Sequence, residues 1–301
     1  VACTTWNSNP GRGADGAGAA GSAGQGGTSG GGAANGRGGS AGTATSSTTF
    51  RWTSSPPLVT PQRDDAHPIV SVKDPSVVFF DGKWHVFATT ANESGSWSLV
   101  YLSFTDWAAA SAAQQFHLGD LPALRGYHAA PQVLYFTPHA KWYLIFQSGQ
   151  PQYSTSDDLT RPESWTTPTN FFPREPAIVL DNKGTGTWLD FWVICDDARC
   201  HLFFTDDNGQ LYRSDTALSS FPEGFGDPVI VIDETKNTLF EGSATNRMKN
   251  GDGYLTLVEA FGPTGSRYYR SFVAETRHRA SGPVIARVRE GLQTAEADFR
   301  F

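Results

Sequence analysis

Methionine occurs once in these 301 residues, cysteine three times, and charged residues make up only 18% of the chain. Three cysteines are too few for a disulfide-built scaffold or a cysteine-rich zinc fold. Lys and Arg together number 23 against 30 acidic residues, for a net charge of −7, and no basic cluster stands out. That balance excludes nucleic acid as the main partner. No apolar run approaches the roughly 20 residues that a helical membrane span requires. The seven histidines lack metal-ligand spacing such as HExxH, and there is no GxSxG elbow and no phosphate-binding P-loop. Zinc-protease, serine-hydrolase and nucleotide-driven chemistries are therefore set aside. Helical periodicity is also scarce, which leaves β-structure as the material for a core.

Glycine is plentiful but unevenly placed. Nearly half of the 32 glycines fall in residues 1–49, mixed with Ala, Ser and Thr. Such a segment offers too little apolar surface to offset its ordering entropy and reads as a flexible linker or tail. The chain opens at Val1 without a signal peptide, which reads either as a mature end or as a missing signal. The foldable part begins near Phe50 and Trp52. From there, short runs rich in aromatic and β-branched residues recur between Gly, Pro, Asp and Asn. Pro75–Phe80 precedes Trp84–Thr89, Gln132–Phe136 precedes Trp142–Phe146, Phe191–Cys195 precedes His201–Phe204, and Tyr254–Phe261 follows. Asp81-Gly82 between the first two runs is a strong hairpin signal.

The runs form larger units. Asp74-Pro75, Ala130-Pro131, Leu189-Asp190 and Phe240-Glu241 each lead into an apolar strand, a turn and an aromatic-led return strand, roughly 50–60 residues apart. That period suits four-stranded propeller blades, whose innermost strands start near a common axis. A β-sandwich is the alternative architecture. The propeller reading makes three distant acids converge. Glycosidic cleavage uses two carboxyl groups, one to protonate the leaving oxygen and one to activate water or attack carbon, and a third charge can tune the pair. Asp74, Asp190 and Glu241 supply that set. Taken singly, each has a plainer reading: a turn terminator, a paired structural carboxylate and a loop glutamate. Asp196, Asp197, Asp206 and Asp207 sit in Asp-rich turns, with Asp206-Asp207-Asn208-Gly209 as a hairpin tip. Trp97, Tyr127 and Trp165 are candidate sugar-stacking aromatics. Cys195 and Cys200 flank a short polar turn and are either a disulfide or two thiols; Cys3 has no evident partner. The sequon Asn92-Glu93-Ser94 leans toward secretion.

The chain resembles glycoside hydrolase family 62 at Val72-Lys73-Asp74-Pro75, Tyr127-His128-Ala129-Ala130-Pro131-Gln132, Leu189-Asp190-Phe191-Trp192 and Leu239-Phe240-Glu241, among other stretches between about residues 50 and 272. The resemblance implies a five-bladed β-propeller that removes arabinofuranose from arabinoxylan with inversion. It implies Asp74 as general base, Glu241 as general acid and Asp190 as the residue that tunes the acid and orients the sugar. Lys73, Trp97 and Gln147 are the expected substrate contacts. No cofactor enters the chemistry, and a structural calcium near the axis is expected. The expected protein is a secreted monomer with polysaccharide as its partner. Two alternatives remain: a related propeller hydrolase acting on arabinan or xylosides, and a non-catalytic carbohydrate-binding propeller. Residues 273–301 depart from the family, carry five Arg, and read as an atypical tail that leaves the fifth blade missing or incomplete, as an altered reading frame or splice would.

Overall fold

The computed structural model describes residues 55–248, 253–262, 265–275 and 289–291. These form four antiparallel four-stranded sheets, each built from consecutive strands. The first holds β1 (Ile69–Phe80), β2 (Lys83–Asn92), β3 (Trp97–Phe104) and β4 (Phe116–His117). The second holds β5 (Ala129–Phe136), β6 (Lys141–Gln147), β7 (Pro151–Ser156) and β8 (Thr169–Asn170). The third holds β9 (Leu189–Cys195), β10 (Arg199–Thr205), β11 (Gln210–Ala217) and β12 (Val229–Asp233). The fourth holds β13 (Ala244–Arg247), β14 (Gly253–Phe261), β15 (Arg267–Glu275) and β16 (Arg289–Gly291). The fold is an all-β propeller with four blades among the described residues. The glycine-rich segment 1–49 lies outside them.

Two expectations change. The boundary drawn after residue 272 cuts through β15, which runs on to Glu275 beside β14. Strand β16 then pairs with β15 through Ser271, Phe272 and Val273. Part of the expected tail thus closes the fourth blade, because backbone pairing tolerates a change of side-chain pattern better than likeness does.

The blades pack face to face through aliphatic and aromatic layers. Val78, Phe87, Leu99, Val133, Leu144 and Phe146 fill the space between the first two. Val193, Leu202, Phe204 and Tyr212 meet Phe136, Tyr143 and Ile145 between the second and third. Phe203, Leu211, Leu239, Val258 and Phe272 join the third to the fourth. Trp165 is 4% exposed within the first of these layers, so it is core and not a sugar platform.

The innermost strands have one free edge, whose backbone groups must find partners. Side chains of the preceding blade supply them. Val133 N–H donates to Ser76 Oγ at 2.9 Å. Gln132 accepts from Val193 N–H at 2.6 Å and donates to Val193 C=O at 2.7 Å. Trp192 Nε1 donates to the Thr245 carbonyl at 2.7 Å. Ser76, Gln132 and Trp192 occupy corresponding places in β1, β5 and β9, so one device is repeated from blade to blade.

Candidate active site

In the middle of β1 and at the starts of β5 and β9 the ladder slips, with two residues facing one on the neighbouring strand. The first bulged residue of each is left-handed although none is glycine: Asp74 at φ 51°, Ala130 at 49° and Asp190 at 57°. Such a conformation costs about 1–2 kcal/mol for a residue with a Cβ, and it turns the side chain away from its strand neighbours. In the fourth blade the left-handed residue is Gly242, at φ 80°. Glu241 therefore stands one place before the bulge, where the first blade has Lys73. The reading of four equivalent blade starts was out of step at its last member.

These starts converge on one cleft lined by Lys73, Asp74, Asp190, Glu241, Gly242, Glu259, Arg267 and Tyr269. The three acids singled out in the sequence are brought together. Gly242 N–H donates to Asp190 Oδ2 at 2.6 Å, and the Ser243 hydroxyl donates to the Asp190 carbonyl, so Asp190 is tied directly to the segment that carries Glu241. Asp190 N–H in turn donates to Gln147 Oε1 at 2.9 Å. Gln147 Nε2 donates to the Tyr127 hydroxyl at 2.6 Å. Both ends of the Gln147 amide are thus engaged within the protein, and its placement is that of a prop behind Asp190. The Lys73 ammonium lies 3.5 Å from Asp74 Oδ2 and 4.5 Å from the Trp97 ring centroid. Trp97 supports Lys73 by a cation–π contact. Neither Trp97 nor Gln147 is among the residues lining the cleft.

Four carboxyl groups face two cations, and this governs their protonation. Burial pushes Asp190 well above the ordinary carboxylate range, and the Glu241 and Asp74 charges add to it against the Gly242 N–H and Lys73. Burial likewise raises Asp74, opposed by Lys73 and by a hydrogen bond from Thr89. The Asp74 side chain nonetheless keeps 35% of its surface open to solvent, so a water can reach its oxygens. Burial works against the Lys73 ammonium, but Asp74, Glu241, Asp190 and Glu259 together hold its proton above the usual lysine value.

Glu259, Arg267 and Tyr269 escaped the sequence reading. Glu259 lies in β14, where its backbone bonds to both Phe240 and Glu241. Burial and the Glu241 charge raise its carboxyl to about 7 against the opposing Arg267. Arg267 and Tyr269 alternate along β15, one strand further out. The one legible signal was Glu259 itself, a charge inside the apolar run Leu255–Phe261. Cys195 and Cys200 face each other across β9 and β10 with their sulfurs bonded. Among the described residues no group of three or more His, Cys, Asp or Glu is placed to hold a metal ion. Gln132, buried among the inner strands, spends both amide ends on Val193. The structural calcium expected near the axis is not shown by the described residues.

Sequence and structure comparisons place these features among known proteins. The profile of glycosyl hydrolase family 62 matches residues 51–287, which extends past the point where the motif likeness fades. Alpha-L-arabinofuranosidase C of Cellvibrio japonicus is 38% identical over 227 residues, which cover 74% of this chain and 34% of that protein. The chain thus spans about a third of the length of that curated relative. The catalytic domain of the Coprinopsis cinerea family 62 alpha-L-arabinofuranosidase is 47% identical with a TM-score of 0.75, covering 81% of this chain and 74% of that one. A family 62 hydrolase solved in complex with xylotriose is 42% identical with a TM-score of 0.75, covering 82% of this chain and 76% of that one.

Proposed function

The chain belongs to glycosyl hydrolase family 62, and from that footing we propose that it is an α-L-arabinofuranosidase that releases arabinose side chains from arabinoxylan with inversion. The observation that carries the reading is the convergence of Asp74, Asp190 and Glu241, from three blades, on one cleft. The names of the relatives support arabinofuranoside as the bond cut, and the xylotriose-bound relative supports a xylan main chain as the carrier.

In this mechanism Asp74 is the general base. Thr89 and Lys73 orient its carboxylate, and its open surface admits the attacking water. Glu241 is the general acid that protonates the departing xylose oxygen. Arg267 Nη1 lies 2.6 Å from Glu241 Oε1 and compensates the charge left on that carboxyl after donation. Asp190, fixed by Gly242, Ser243 and Gln147, sets the field at the acid and presents its remaining carboxylate surface to the sugar. Water adds to the anomeric carbon from the Asp74 side as the glycosidic bond breaks on the Glu241 side. Inversion follows from attack on the face opposite the leaving group. No cofactor takes part. The bonded cysteine pair supports an oxidising, extracellular location.

The test is arabinose release from wheat arabinoxylan, with proton NMR reading the first anomer formed. Arabinose appears as the β-anomer before mutarotation, and Asp74→Ala or Glu241→Gln lowers kcat by roughly 10²–10⁴. Release that persists undiminished in both variants overturns the assignment. Binding of arabinoxylan without release identifies a carbohydrate-binding propeller instead.

A further inference from the structure

Thr89, Gln147 and Glu259 occupy corresponding places in the second strand of their blades, opposite the residues that open the cleft. In the first blade Thr89 hydrogen-bonds the Asp74 carboxyl and accepts the Ala130 N–H at 2.8 Å. In the second, Gln147 accepts the Asp190 N–H. This position is where the fold keeps the side chain that aims its neighbour. In the fourth blade it holds an acid directly against another acid. A single nitrogen, Arg267 Nη1, lies 2.6 Å from Glu241 Oε1 and 2.9 Å from Glu259 Oε2. The two carboxyl groups thus stand side by side on one guanidinium nitrogen, and the Tyr269 phenol lies against Glu259. Two carboxylates held this close with one cation between them repel each other, and a proton on one member relieves that repulsion.

We propose that Glu259 is a positioning residue for the acid of the reaction above: its carboxyl and that of Glu241 share one proton under the Arg267 guanidinium, and this sharing keeps Glu241 ready to donate. The inference rests on the assignment of Glu241 as general acid.

The surrounding charges agree. Lys73, Asp74, Asp190, Asp207, Arg267 and Tyr269 are the titratable groups around the pair. Of these, Lys73 and Arg267 are the cations, and Lys73 is already engaged with Asp74. Burial and the adjacent Glu241 carboxyl raise Glu259, so a proton stays beside Glu241 at mildly acidic pH. Glu259 is 8% exposed, so water is a poor substitute partner. During turnover the proton passes from Glu241 to the glycosidic oxygen while Asp74 takes one from water. The pair then regains its proton from solvent, and no other reactant is needed.

The pair titrates as a unit, so removing the charge on one member changes how long the other keeps its proton. In Glu259→Gln the alkaline limb of the kcat/KM profile on arabinoxylo-oligosaccharide moves about one pH unit lower. At neutral pH kcat falls on the order of 10-fold, while KM changes less than about threefold. An aryl arabinofuranoside with a good leaving group needs little protonation and loses much less. Glu259→Asp restores part of the limb position. An unmoved limb in a folded Glu259→Gln, or equal losses on both substrates, overturns the proposal. Infrared spectra of wild-type protein carrying 13C-labelled glutamate supply a readout that does not depend on a variant folding. A protonated glutamate carboxyl persists at pH 6, where free glutamate is ionised, and its absence also overturns the proposal. If Glu241→Gln retains full activity, the function assigned above fails. If Glu241→Gln is inactive and the Glu259→Gln limb stays in place, only the role of Glu259 fails.

Discussion

The bulged residues show how single positions carry both cost and use. Asp74, Ala130 and Asp190 share a left-handed backbone, yet only the two aspartates have an evident chemical task. Ala130 meets the geometric requirement alone, and its N–H is held by Thr89 Oγ1. A β-branched side chain is the worst occupant of that conformation. Ala130→Val should therefore destabilise the fold by about 2 kcal/mol. Ala130→Gly should stay within about 1 kcal/mol of wild type, because relief of strain offsets the added freedom of the unfolded chain. Urea unfolding measures both. Two equal midpoints would show that the backbone at 130 is unstrained. At this scale Asp74 and Asp190 were legible, since each breaks an apolar run with a charge. Glu259 was passed over because one acid within a strand reads as an ordinary exposed alternation. Arg267 and Tyr269 act from a third strand, whose distance from Glu241 only the hairpin register sets.

Among elements, the hairpins were readable and the outer strands were not. The paired runs at Pro75–Thr89, Gln132–Phe146 and Phe191–Phe204 lie within β1–β2, β5–β6 and β9–β10, and Asp81-Gly82 does form the first turn, with φ 46° and 74°. Strands β4 and β8 have two residues each, too few to show an alternating pattern. Strand β16 falls in the segment read as an atypical tail. The stitching between blades was also hidden, because Ser76, Gln132 and Trp192 look like isolated polar or aromatic residues until the inner edges are aligned. Gln132 is the strongest of these stitches, as it satisfies both backbone groups of Val193 from a site 2% exposed. Gln132→Leu keeps the volume but strands a buried donor and acceptor, at a cost of about 2–4 kcal/mol. The loss appears in the denaturant midpoint with an unchanged slope. A change below about 1 kcal/mol would mean that water or a shifted strand replaces the amide.

Across the molecule, the cleft gathers negative charge that the fold tolerates by keeping protons. The chain already carries a net charge of −7. Asp190 is the extreme case: burial, then the charges of Glu241 and Asp74, raise its folded-state value well above that of a free aspartate. The folded protein therefore holds this proton at pH values where the unfolded chain has released it. Stability falls as pH rises from the ordinary aspartate value, 3.8, through the higher folded one. Below that range both states are protonated and the group contributes no pH dependence. Asn in place of Asp190 stays neutral throughout and can still accept the Gly242 N–H. Asp190→Asn should melt within about a degree of wild type near pH 3, and increasingly above it as pH approaches 7. At the same time, activity on arabinoxylan falls by at least about 10-fold, since an amide cannot exchange a proton as the carboxyl beside Glu241 does. Scanning calorimetry at pH 3, 5 and 7, beside arabinose release, measures the exchange of stability for catalysis. A variant that melts below wild type at pH 7 would show that the ionised Asp190 stabilises the fold, and that the cluster is held together by its charges rather than in spite of them.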